Sequence, residues 1–353
     1  MMNPLINTKM QWDIGTAYDL FVSLRIIHSP DEFGLRESWA ISLINRLPKE
    51  HHEVLHQYAT ICQIPLGFVY SLDEPKDAAQ AMKRLRSMDP EAILEKLFIP
   101  SWANSEARAF LINTQKGQKW TTKEFKKIAQ QAGSEDNKYT RPIFETYNSV
   151  WANRRDFGVQ FVEALQAYID LFFDEEEKRI LPVLEEELSH VKMRAGSRPL
   201  PAMLEEITAG VRYLDFAKVS EIILAPTFWG APLMFWESID NFRLLVLFGA
   251  RPGSMSLIAG DIVPDGLMRG LKAMADPTRL RIFRYLANAP QNAEDIALFF
   301  RLRLPTINHH LSQLRLAGLL QVFLDSNGVK MYAARFEGFN ETQDLLNRFV
   351  HGE

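Results

Sequence analysis

Apolar side chains recur three and four positions apart through most of the first 190 residues, which is the spacing of one face of an α-helix. The clearest stripes are Tyr18, Phe21, Val22 and Ile26, and Phe157, Phe161, Leu165, Tyr168 and Phe172. Breaks containing Gly, Pro or several polar residues interrupt this spacing at 133–137 and 195–201. We expect a mostly helical N-terminal domain with loops at these two places.

The pattern changes after residue 220, where short β-branched and aromatic runs replace the helical spacing. The runs are EIILAPTFW from Glu221, APLMFWES from Ala231 and FRLLVLFGA from Phe242. They predict a small β-sheet that closes the N-terminal domain. A segment rich in Gly, Pro and Ser at 251–266 follows, so we predict two domains, 1–261 and 262–353. The predicted fold class is mainly α (α+β).

Capping residues delimit three helices in the C-terminal domain. Asp276 precedes Pro277, and an Asp before a first-turn Pro is typical of a helix start. Asn292 can cap a second, short helix. A four-residue turn at 301–304 leads to a third helix, which ends before Gly318 because Gly suits the left-handed conformation beyond a helix end.

The third helix and the hairpin that follows it carry candidate DNA contacts. Short polar groups on the helix can meet base edges in a major groove of about 12 Å width. Two arginines suit phosphates, and Asn327-Gly328 predicts a two-residue hairpin turn, the wing, with a lysine beside its tip. The candidates are Arg303, Thr306, Asn308, His309, Ser312, Gln313, Arg315 and Lys330. Adjacent His309 and His310 point about 100° apart, so they do not converge on a metal.

The succession LKAMADPTRLRIFRYLA, AEDIALFF, PTINHHLSQLRLAGLL and the Asn-Gly hairpin resembles the ArsR/SmtB-type winged helix-turn-helix transcriptional regulators over about 80 residues. The resemblance implies a sequence-specific regulator that binds double-stranded DNA as a homodimer. It also implies a palindromic operator whose half-sites lie one turn, roughly 34 Å, apart. The helices implied in the dimer contain Leu267, Leu271 and Met274 and, near the end of the chain, Leu345, Leu346 and Phe349.

The chain departs from that family pattern at two places. Arg303 stands where the pattern usually has a capping Ser, which forfeits about 1 kcal/mol of capping and adds a phosphate-seeking charge. The segment AEDIALFF lacks the cysteines of metal-sensing members, so thiolate-based metal sensing is not expected.

The N-terminal domain resembles that of a subgroup with a long helical region, and its strands at Leu224–Phe228 and Leu244–Arg251 correspond. We interpret it as an effector-sensing or dimerisation module. Its dense aromatic residues either fill a core or line an effector pocket.

His52-Glu53-Val54-Leu55-His56 supports an alternative function. In the HExxH pattern two histidines one helical turn apart bind zinc, and the Glu activates a water molecule. The alternative is therefore a zinc-dependent protein with a winged-helix appendage. No third ligand follows at the usual spacing, and both histidines lie in the first two turns of a helix that begins near Pro48. We expect solvent-facing side chains there, no metal, no cofactor and no enzymatic activity.

Composition and charge refine these expectations. Hydrophobic residues make up 47% and charged residues 24% of the chain, values typical of globular proteins. The net charge is -4, but residues 262–353 hold 11 basic and 9 acidic residues, so a DNA-facing surface is expected there. No apolar run approaches the roughly 20 residues of a membrane span, and the start lacks a secretory pattern, so we expect a cytoplasmic protein without membrane contact. The single cysteine, Cys62, excludes a cysteine zinc cluster.

Overall fold

The computed structural model describes residues 8–61, 63–99, 121, 123, 141–195, 198–212, 219–324 and 329–352. Helices predominate in these ranges and the sheets are small, so the predicted mainly α (α+β) class is confirmed. The helices are α1 (Thr16–His28), α2 (Pro30–Phe33), α3 (Glu37–Ile44), α4 (Lys49–Ile61), α5 (Leu66–Tyr70), α6 (Ala78–Arg86), α7 (Pro90–Phe98), α8 (Arg141–Ala152), α9 (Arg154–Tyr168), α10 (Asp174–Ala195), α11 (Leu200–Ile207), α12 (Asp265–Ala275), α13 (Pro277–Leu286), α14 (Ala293–Phe300), α15 (Leu304–Leu316) and α16 (Phe336–His351). The strands are β1 (Lys9–Trp12), β2 (Val211–Arg212), β3 (Glu221–Thr227), β4 (Phe235–Ser238), β5 (Arg243–Gly249), β6 (Gln291–Asn292), β7 (Leu320–Leu324) and β8 (Lys330–Ala334).

Helix α1 lies at the centre of the N-terminal region and packs against α3, α4, α6 and α10. Nearly all of its side chains are buried, which explains why its apolar residues occur on more than one face. Helix α9 packs on α4, where the Tyr58 and Phe161 rings lie 4.5 Å apart. The stripe predicted at 157–172 therefore faces the core. It continues through a π-helical turn, Ile169–Phe173, into α10.

The predicted small sheet is present, with one strand more than expected. Its order is β1-β3-β5-β4, with β3 parallel to β1 and β5, and β4 antiparallel to β5. Strands β3, β4 and β5 are the predicted runs. Strand β1 was not predicted, because its four residues alternate between half-buried and exposed positions within a region where helical spacing dominates.

A buried carboxylate ties α1 to the end of β3. Asp19 accepts hydrogen bonds from the Thr227 hydroxyl at 2.8 Å and from the backbone amides of Phe228 and Trp229 at 3.1 and 2.7 Å. Burial raises the pKa of Asp19 to about 6, and the hydrogen bonds oppose that rise. The side chain is therefore fully used in holding the turn after β3.

Local signals in the C-terminal region are confirmed by the structure. The Asp276 carboxylate accepts from the Arg279 amide at 2.8 Å, and the Asn292 side chain accepts from the Asp295 amide at 2.8 Å. Gly318 ends α15 with a φ of 71°. Strands β7 and β8 form the predicted antiparallel hairpin. The predicted Asn-Gly turn lies outside the described residues.

The N-terminal region contributes a strand to the C-terminal sheet. Strand β2 pairs in parallel with β7, so this sheet has the order β2-β7-β8-β6. The Val322 amide also donates to the Gly210 carbonyl at 2.9 Å. A two-residue strand gives no periodicity in sequence, so this connection was not predicted. The proposed boundary between residues 261 and 262 lies between β5 and α12 and stays a prediction.

In the parts of the chain that the structure describes, no helix combines the length and the apolar character needed to cross a membrane.

Candidate nucleic-acid interface

Helix α15 is held by one apolar face and presents a polar face to solvent. Ile307, Leu311 and Leu314 are buried in a cluster with side chains of α13, α14, β7 and β8. The predicted base-contacting side chains lie on the rest of the helix. Thr306, Asn308, His309 and Ser312 are exposed, and Gln313 is half-buried. The helix can therefore approach another molecule with four or five polar side chains without losing its own packing.

The turn before α15 places two arginines at the start of that helix. Arg301 adopts a left-handed conformation with φ 55°, which ends α14. Arg303 occupies the N-cap position of α15 in an extended conformation, and its side chain makes no capping hydrogen bond. The absence of a side-chain cap, expected from the sequence, is observed. Both arginines are exposed, so positive charge accumulates beside the free amides of the helix N-terminus.

Arg315 lies in a different environment from the one that the sequence predicts. Its Nη1 donates to the Ala209 carbonyl at 2.9 Å, and its Nη2 donates to the Thr208 carbonyl at 3.0 Å. Burial lowers the pKa of Arg315, and the nearby Arg335 lowers it further. A guanidinium with both terminal nitrogens engaged in this way fixes α15 to the N-terminal region. In this arrangement the Arg315 guanidinium is not available for a phosphate contact.

The predicted wing residue Lys330 is exposed at the start of β8. Its Nζ lies 5.5 Å from the centroid of the Tyr332 ring, a distance compatible with a cation–π contact. The turn at 325–328 lies outside the described residues.

His309 and His310 differ in their surroundings, as their adjacent helical positions predict. Their ring centroids are 6.0 Å apart at an interplanar angle of 60°. His309 is exposed, whereas His310 is half-buried near Asp276. Desolvation lowers the pKa of His310, and the charge of Asp276 opposes that change.

Further exposed arginines lie on α13 and in the turn before α15 and were not among the predicted contacts. Arg281 and Arg284 are exposed on α13, and the Arg281 guanidinium lies 5.4 Å from the Phe300 ring centroid. Arg301 was predicted only as part of a turn. The clustering of basic residues three positions apart on one helix is the signal that would have indicated them.

The HExxH segment lies on α4, as predicted, but lacks the arrangement of a zinc site. The rings of His52 and His56 are 6.3 Å apart and lie 6.1 and 6.0 Å from His28, centroid to centroid. Glu53 is exposed and lies 3.7 Å from Lys49. Across the described ranges, no three His, Cys, Asp or Glu side chains are grouped so that they could hold a metal ion. The zinc-dependent alternative therefore gains no support.

Residues 274–322 match a family described as a helix-turn-helix domain. This family occurs among ArsR- and MarR-like regulators. The match covers α13, α14, α15 and the start of β7, which are the elements that present the exposed polar face. No protein with a curated description matches the chain. The helix-turn-helix domain indicates DNA binding and a role in transcription regulation.

Proposed function

We propose that the chain is a sequence-specific transcriptional regulator of the ArsR type that binds double-stranded DNA through α15. The observation that carries this proposal is the exposed polar face of α15, which lies opposite a fully packed apolar face and within the helix-turn-helix match. Such a helix can enter a major groove without unfolding any of its support.

Different side chains of this surface have different parts in binding. Asn308 and His309 are short enough to meet base edges, so they supply sequence specificity. Arg301 and Arg303, at the start of the helix, supply phosphate contacts that are independent of sequence. Arg315 supports the helix from behind through the carbonyls of Thr208 and Ala209.

A homodimer is part of the proposal. Helices α12 and α16 pack against each other. Both helices carry exposed apolar side chains, Met268 on α12 and Leu346, Phe349 and Val350 on α16, with exposures of 37%, 36%, 40% and 67%. Of the residues that the resemblance places in the dimer, Leu267 is only 1% exposed and packs inside its own chain. The dimer surface therefore includes fewer residues of α12 than the resemblance implies. A two-fold dimer of this kind reads a palindromic operator.

The N-terminal region has a regulatory and not a catalytic role in this proposal. Its buried carboxylates are used in structural hydrogen bonds, as Asp19 shows at the end of β3. Glu176 accepts from the Trp229 indole at 2.8 Å and pairs with Arg179. These contacts support a structural role for both carboxylates.

Selection of DNA from a random double-stranded pool by the full-length protein tests the proposal. We expect enrichment of an inverted repeat with half-sites about 10 base pairs apart. A variant with Asn308→Ala and His309→Ala should lose its preference for the enriched duplex over a scrambled one. The matched control carries Asn241→Ala and His190→Ala, which removes the same two side-chain types from exposed positions on the N-terminal region. Enrichment of no sequence, or equal preference in the Asn308 and His309 variant, would contradict the proposal.

A further inference from the structure

A cleft of about 250 Å³ lies between the N-terminal region and the helix-turn-helix domain. One wall comes from the loop after β5 and from the end of α11. The opposite wall comes from α12, from the turn that ends α15 and from α16. Residues from both halves of the chain therefore line the cleft.

Two arginines with unused donors line this cleft. The Arg251 side chain is 2% exposed, and its Nη2 donates to the Ala231 carbonyl at 2.9 Å. The Nη1 of Arg251 has no hydrogen-bond partner among the described residues, and the same is true of the buried Nε of Arg269. A buried donor without an acceptor costs free energy, so an acceptor placed here stabilises the site.

The carboxylates around the cleft do not satisfy the unused donors of these two arginines. The carboxylates that line the cleft are held in ion pairs, Glu187 and Glu206 with Arg194 and Glu341 with Arg335. Asp265 accepts from the Leu257 amide and forms an ion pair with Arg251, but its Oδ2 lies 3.7 Å from the Nη1 of Arg251, beyond hydrogen-bond distance. The charge of Asp265 favours the charged form of both arginines, and the charge of Asp19 also favours that of Arg251. Asp19 is held in three hydrogen bonds at the end of β3, so neither carboxylate satisfies the two unused donors.

Desolvation lowers the pKa of Arg251, and repulsion from Arg269 lowers it further. Desolvation also lowers the pKa of Arg269. An anion between the two groups relieves both effects, since it supplies opposite charge and hydrogen-bond acceptors together.

We propose that this cleft binds a small molecule through an oxyanion, a carboxylate or a phosphate, held by Arg251 and Arg269, and that this binding regulates DNA occupancy. The regulatory part rests on the proposed function. Leu316, Ala317 and Gly318, at the end of the DNA-reading helix, also line the cleft. A ligand that binds one arrangement of the two halves more tightly therefore shifts the position of α15.

Calorimetry on the full-length protein tests anion binding with inorganic phosphate, benzoate and the neutral analogue benzamide at constant ionic strength. We expect phosphate or benzoate to bind with one site per chain. The anion that binds identifies the chemical class of the ligand as a phosphate or a carboxylate. Benzamide should not bind. Arg269→Met should weaken binding at least about tenfold because a charged, bidentate donor is lost. Arg251→Lys keeps the charge and gives a second variant should Arg269→Met fold poorly, and we expect weakened binding there too.

The control is Arg46→Met, which removes the same charge from an exposed position on the N-terminal region and should bind as the unaltered protein does. Binding of neither anion up to about 10 mM, or binding that both arginine variants retain, would overturn the site. Affinity for the selected duplex, measured with and without the bound anion, tests regulation separately. Anion binding that leaves this affinity unchanged would overturn the regulatory part. Absence of DNA binding beside intact anion binding would contradict the proposed function and leave the site standing.

Discussion

At the scale of single residues, His28 shows how burial sets a pH dependence. Its Nδ1 bonds to the Leu24 carbonyl at 2.9 Å, whereas its Nε2 is buried without a hydrogen-bond partner among the described residues. Desolvation, more than the neighbouring His56 and His52, lowers the pKa of His28 to about 4 from 6.5. Between these values the unfolded chain binds the proton and the folded chain does not.

The free energy of unfolding therefore contains a term from His28 that is complete above pH 6.5 and is lost as pH falls to 4. A shift of this size corresponds to about 3 kcal/mol. Denaturant unfolding at pH 4.5 and 7.5 gives the change in the free energy of unfolding for the unaltered protein and for His28→Gln. The difference between these two changes is the contribution of His28. Asp19 changes stability in the opposite direction in both proteins, so its contribution cancels. His351→Gln, at an exposed position, is the control. A His28→Gln protein with the same pH dependence as the unaltered protein would refute this explanation.

At the scale of helices and strands, the sequence predicted features that depend on neighbouring residues better than contacts between distant parts of the chain. The capping roles of Asp276 and Asn292 and the stop at Gly318 depend on neighbours within three residues, so the sequence alone indicates them. The carbonyl partners of Arg315 lie 106 and 107 residues away. Its basic character on the helix proposed to read DNA predicted a phosphate contact, and only the tertiary structure shows the competing acceptors.

Arg303 and Arg315 should therefore respond differently to the same substitution. Arg303→Met should weaken DNA binding on all sequences and reduce the slope of log affinity against log salt by about 1 per bound chain. Arg315→Met should leave that slope unchanged and lower the melting temperature, because two backbone carbonyls lose their donor. Affinity measured across a salt series, beside thermal unfolding, separates the two effects. A reduced slope for Arg315→Met would restore the phosphate contact predicted from the sequence.

At the scale of the whole molecule, the sequence indicated two successive units, and the structure joins them through β2 and Arg315. The sequence left open whether the aromatic residues of the N-terminal region fill a core or line an effector pocket. Phe228 and Trp229 are fully buried, which supports the interpretation that they fill a core. The cleft that the structure does contain is lined by charged and small residues from both units. No periodicity indicates such a place, because its walls meet only after folding.

The oligomeric state tests the arrangement of the whole assembly. Leu346→Glu together with Phe349→Glu places two charges on the exposed apolar face of α16, which should convert a dimer into a monomer. Sedimentation equilibrium measures the mass, and Ile41→Glu, at another exposed apolar position, is the control. A dimer that survives both charges would show that the interface lies elsewhere.

The most direct measurement of the central claim is methylation interference on the selected duplex. The guanine N7 atom faces the major groove and the adenine N3 atom faces the minor groove. If α15 reads the major groove, methyl groups on guanine N7 should exclude binding at two clusters about 10 base pairs apart, whereas methylation of adenine N3 between the clusters should not. Binding that tolerates every N7 methyl group would contradict recognition through α15.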